Sequence, residues 1–123
     1  MITIFDKIID GSIDSKIVYE DNNWLAFLDI KPENPGHTIL INKISNSENI
    51  LDETIEIRNE FINKSKDITE LLKSTLNASG FQLKFNCGAD AGQEVFRTHM
   101  HIIPYYNHKC DWTPEAIYKK IRT

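Results

Sequence analysis

The chain has 123 residues, 41% of them apolar, with 14 Lys and Arg against 18 Asp and Glu. That size and balance suit a single domain over residues 1–123 and exclude wholesale disorder. A net charge of −4 counts against long nucleic acids as partners, and apolar runs as short as Ile39-Leu40-Ile41 leave nothing able to span a bilayer.

In chain order, Phe5–Ile9 reads as a short amphipathic helix stopped by Gly11. Lys16–Tyr19 and Trp24–Leu28 read as strands around the polar turn 20–23. Segment 31–36, with two prolines and a glycine, is a loop, and His37–Asn42 is a third strand rich in β-branched residues. From about Asp52 to Ser79 the apolar residues Ile57, Phe61, Ile68, Leu72 and Leu76 recur at multiples of three and four, which predicts one long helix with Gly80 as its stop. Phe81–Cys87 is a strand, Gly88–Glu94 a glycine-bearing loop and Val95–Tyr105 another strand. Thr113-Pro114 opens a last helix, with threonine as cap and proline in the first turn. Together these predict an α+β fold: an antiparallel five-stranded meander sheet, one long helix across a face, and short terminal helices. Cys87 and Cys110 are too few for a disulfide framework, and Met-Ile-Thr-Ile-Phe-Asp at the start shows no secretory leader, so a cytoplasmic protein with free thiols is expected.

The chemistry gathers in residues 92–104. On a strand, alternate residues share a face, so His99 and His101 project together with Arg97 beside them, while Thr98, Met100 and Ile102 face the other way. By spacing alone, a His-x-His pair fits half-buried structural residues, metal ligands or a phosphate site. The preceding loop, 86–93, adds two glycines and side-chain amides, which suits main-chain N–H groups closing on phosphate oxygens.

These motifs resemble the histidine-triad (HIT) family of nucleotide-binding hydrolases and transferases, in particular its bacterial Hint-like branch. The family signature is His-x-His-x-His and two apolar residues, preceded by Gly-Gln; here it stands as Gly92-Gln93 and then Arg97-Thr98-His99-Met100-His101-Ile102-Ile103. The resemblance extends to Ile4–Ile9, Val18–Asp21, Leu25–Ile30 and Pro35–Thr38. It implies that His99 is a nucleophile forming a nucleotidyl-histidine intermediate, with His101 and His37 supporting the phosphate and the leaving group. It further implies that Asn86 and the Gly92-Gln93 backbone hold phosphate oxygens and that Asp29 grips ribose hydroxyls. Phe5, Ile8, Phe27 and Ile30 would then wall a purine base. Core packing of these apolar residues and a turn-capping role for Asp29 are the competing readings.

The sequence departs from the family at the first triad position, which is Arg97. The resemblance implies that many bacterial relatives carry a structural zinc on four positions that correspond here to Thr3, Asp6, Ser45 and Arg97, none of which is a usual soft or imidazole ligand, so no metal and no other cofactor is expected. Arg97 is left with two readings, charge near the phosphate or a solvent-facing side chain. The expected function is a nucleotide-binding hydrolase that cleaves nucleoside phosphoramidates or related nucleotidyl bonds at the α-phosphate, working as a homodimer with sheets joined edge to edge. The alternatives are a catalytically weak nucleotide-binding module, a dinucleoside polyphosphate hydrolase, and a metal-binding protein using His37, His99 and His101.

Overall fold

A computed structural model of the chain describes residues 2–122. Thr3 and Asp6 cap each other, with the Thr3 amide donating to Asp6 Oδ2 at 2.7 Å, and so start helix α1, Ile4–Ile9. Strands β1 (Ile17–Glu20) and β2 (Trp24–Leu28) form a hairpin whose turn is held by Asp21 Oδ1, which accepts from the Asn23 and Trp24 amides at 2.9 and 2.8 Å. β3 (Thr38–Asn42) pairs antiparallel with β2.

Every residue of β2 and β3 is buried, so the sheet needs cover on both faces. The period of two divides the work. Trp24, Ala26, Leu28 and Leu40 pack with Phe61, Ile68 and Leu72 of the long helix α2 (Ile55–Leu76). Leu25, Phe27, Ile39 and Ile41 pack on the opposite face with Phe5 and Ile8 of α1. This second, smaller layer positions the site.

Helix α2 is shorter than the expected span 52–79. A separate 3₁₀ turn at Ile50–Asp52 precedes it, Glu53 is extended, and Thr54 restarts the helix by accepting from the Ile57 amide at 3.2 Å. At the other end Asn77, not Gly80, takes the left-handed stop at φ 60°. Gly80 is thereby free to open β4 (Gly80–Lys84).

β5 (Met100–Tyr105) and helix α3 (Pro114–Arg122) complete the chain, the latter with Thr113 Oγ1 accepting from the Ala116 amide at 3.2 Å. The α+β antiparallel sheet stands, but its order is β1-β2-β3-β5-β4, which corrects the expected meander. The physical cause is α2: it carries the chain across the sheet, so β4 lands at the far edge and β5 returns into the gap beside β3.

Candidate active site

β5 sets the geometry. Met100 and Ile102 enter the core beneath α2, so His101 between them points to the α1 side, level with Ile39 on β3 and Lys84 on β4. The strand begins only at Met100, several residues later than expected. Residues 97–99 are irregular, and this corrects the shared face proposed for Arg97 and the histidines. Arg97 turns away into the protein, 5% exposed, where its guanidinium pairs with Asp6 and donates to the Asn42 carbonyl at 2.8 Å. It neither lines the cavity nor faces solvent.

The rings have assigned polarities. His99 Nδ1 lies 2.7 Å from the Arg97 carbonyl. A carbonyl only accepts, so Nδ1 carries the proton and Nε2 keeps its lone pair. His37 is fixed from the other direction: the Glu33 amide donates to its Nδ1 at 3.0 Å, so its proton sits on Nε2. That Nε2–H lies 2.9 Å from His101 Nδ1, which must accept, so His101 carries its proton on Nε2. Asp29 stands 3.6 Å from His37 Nε2 and accepts from the Lys31 amide at 2.9 Å.

Burial holds all three imidazoles below the ordinary histidine pKa. For His101 burial acts together with His99, His37 and Lys84 and brings the value to about 4. For His99 burial outweighs the bond to the Arg97 carbonyl and the charge of Asp29, both of which favour the cation. His37 is depressed by burial against the pull of Asp29 and Glu33. The site is a cluster of neutral rings at pH 7: one bare nitrogen on His99 beside an N–H donor on His101, with ring centroids 5.0 Å apart.

A cavity of about 540 Å³ opens in front of them, within the range of small-molecule sites. Phe5, Ile8, Phe27, Asp29, Ile30, His37, Asn86, Gly92, His99 and His101 all line it, so ten of the expected residues converge. Ile30 stands at the rim, 82% exposed. The Phe5 ring packs edge-on against His99 at 4.9 Å.

Gln93 does not converge. Its side chain is buried as a brace, accepting from the Gly88 amide at 2.8 Å and donating to the Glu48 and Val95 carbonyls. The Gly92 and Gln93 amides are also spent inside the loop, on the Ala89 and Gly88 carbonyls, so they are not the expected phosphate donors. The next two amides, of Glu94 and Val95, donate to no protein acceptor among the described residues, and both residues line the cavity. Gly92 needs its φ of +90°, and a Cβ there would meet Asn86 Nδ2 at 3.2 Å. Lys84 is a lining residue that sequence reasoning missed, ion-paired with Glu33 at 3.1 Å. Its signal was the strand alternation that puts it level with His101.

The four positions that the resemblance matches to a structural zinc do not fit a metal. Thr3 donates its hydroxyl to Asp6, Ser45 donates to Glu53 at 2.6 Å, and Asp6 is already neutralised by the Arg97 cation. Such a set offers no thiolate or imidazole, and it places a positive charge where a metal would sit. Among the described residues one other group gathers metal-ligating atoms: Asp29, His37 and His101, within 4.8 Å of one another. His99 is not part of it, contrary to the metal reading of the sequence. The two imidazole nitrogens in this group are hydrogen-bonded at 2.9 Å, closer than the roughly 3.3 Å between two ligands of one tetrahedral zinc.

The HIT domain profile matches residues 10–108. The chain is 45% identical over 103 residues to an uncharacterised HIT-like protein of Methanocaldococcus jannaschii, covering 84% of this chain and 78% of that one. It is 34% identical over 113 residues to an adenylylsulfatase of Arabidopsis thaliana, covering 91% and 76%. A crystal structure of a HIT-like protein from Bartonella henselae superposes with a TM-score of 0.85 at 35% identity, covering 98% and 93%. The chain belongs to the HIT family.

Proposed function

We infer that the protein is a nucleotidyl hydrolase that cleaves nucleoside phosphoramidates, or related nucleotidyl bonds, at the α-phosphate. One observation carries the reading: His99 has its Nδ1–H tied to a carbonyl and its Nε2 lone pair free beside a cavity. In the proposed sequence His99 Nε2 attacks phosphorus, the phosphorus–nitrogen bond breaks, and the departing nitrogen takes a proton from solvent and leaves as the amine. Water then attacks the nucleotidyl-histidine, breaking the Nε2–phosphorus bond and releasing the nucleoside monophosphate. The His101 Nε2–H and the Glu94 and Val95 amides are the donors for the phosphate oxygens. Asp29 takes the ribose hydroxyls, while Phe5, Ile8, Phe27 and Ile30 take a purine. Likeness to a plant adenylylsulfatase supports an adenylyl substrate.

The whole chain acts as one domain, in the cytoplasm, as a homodimer. A binding module with little turnover is the second reading, favoured by the Glu94 and Asp14 carboxylates on the cavity wall, which repel phosphate. Hydrolysis of an adenosine phosphoramidate by wild type and His99→Ala decides between them. The hydrolase reading expects a loss of roughly a hundredfold or more in the variant. Equal rates remove His99 from the chemistry, and nucleotide binding without product selects the module.

A further inference from the structure

Arg97 makes three contacts that belong together. Its guanidinium pairs with Asp6 of α1, the same group donates to the carbonyl of Asn42 at the end of β3, and its own carbonyl accepts from His99 Nδ1. We propose that Arg97, through its buried pair with Asp6, is a positioning residue for His99, fixing the tautomer and the ring wall of the nucleophile; the proposal rests on the reading of His99 given above.

The need for such a device follows from the backbone. β5 starts at Met100, so no strand pairing holds residue 97. The peptide carrying the Arg97 carbonyl is held through its own N–H, that of Thr98, which together with the Thr98 hydroxyl donates to the Ser47 carbonyl at 3.1 and 3.3 Å. The Arg97 side chain supplies a second anchor, on the Cα side of that carbonyl, by bolting residue 97 to β3. Asp6 supplies a second effect. It is locked at the head of α1 by Thr3, whose amide and hydroxyl donate to it at 2.7 and 2.9 Å. The pair therefore also sets the neighbouring Phe5, whose ring packs on His99. Arg97 Nε is buried without a partner, so the two terminal nitrogens carry the whole connection. The pair joins α1, the end of β3 and the segment before β5, the elements that the zinc-matching positions occupy. A charge pair does the cross-linking here.

The test measures the histidine tautomer as well as rate. Nitrogen-15 spectra of labelled histidines and steady-state hydrolysis of an adenosine phosphoramidate are compared for wild type, Arg97→Met, Arg97→Lys and Asp6→Asn. Wild-type His99 is expected as the Nδ1–H form. Arg97→Met should show mixed tautomers at His99 and a roughly tenfold or greater fall in kcat with KM within about threefold. Arg97→Lys should recover part of both, and Asp6→Asn should move both in the direction of Arg97→Met by less. A folded Arg97→Met that keeps the Nδ1–H signature and the wild-type kcat overturns the proposal; if that variant does not fold, the same result in Asp6→Asn does so. Should wild type hydrolyse nothing, the hydrolase reading fails, and the tautomer spectra alone still decide whether Arg97 positions His99.

Discussion

Two main-chain groups, the Arg97 carbonyl and the Glu33 amide, orient three imidazoles between them. Because burial depresses each ring, the neutral form that the proposed attack by His99 needs persists to lower pH than in an ordinary histidine. The sign follows directly: protonation removes the lone pair, and the lowered pKa moves that loss to lower pH. The acid limb of kcat is therefore expected below the ordinary histidine pKa of about 6.5, with the rate flat from there to pH 8. A limb centred at or above 6.5 would show that burial does not govern the proposed nucleophile. At this scale much was legible. Histidines two apart on a strand, an aspartate after an apolar strand and a glycine loop mark a site through residue chemistry alone. The direction of Arg97 was not legible, because it depends on where the hydrogen-bonded ladder begins, and three residues of irregular backbone reverse it.

Among the elements, the loop between β2 and β3 bears the strictest constraint. Gly36, immediately before His37, has φ of +89°, and a Cβ there would fall 2.9 Å from Pro104 Cγ and 3.0 Å from Leu76 Cδ1. Gly36→Ala combines a disfavoured backbone with overpacking, for an expected loss of about 2–4 kcal/mol in denaturant melts. It should also weaken the His37–His101 bond and so reduce rate beyond what stability explains. An unchanged midpoint would mean that the loop relaxes freely. The long helix was legible from its apolar period, since Phe61, Ile68, Leu72 and Leu76 are all buried as that pattern requires. Its ends were not, because Thr54 and Asn77 cap it inside a longer run of compatible residues.

At the scale of the whole molecule, strand order was the hidden quantity. Hairpin signals describe neighbours in sequence, whereas α2 separates β3 from β4 by more than 30 residues and lets β5 close the gap between them. The resulting sheet has two open edges, β1 and β4. β4 carries Leu83, 44% exposed, on its row of unpaired groups, the type of edge that a second copy can cover. Sedimentation at twice 14.2 kDa is the outcome expected for the proposed homodimer, and a stable 14.2 kDa species would count against it.

The chain of ring protons begins at a peptide nitrogen, the Glu33 amide. Trimming position 33 to alanine therefore spares the group that matters, cutting the link to Lys84 and removing a carboxylate that draws His37 toward the cation. An alanine survey would score the residue as a modest surface contact. Only a replacement that deletes the backbone hydrogen, such as proline or an ester linkage, would let the His37 and His101 rings swap their polarity.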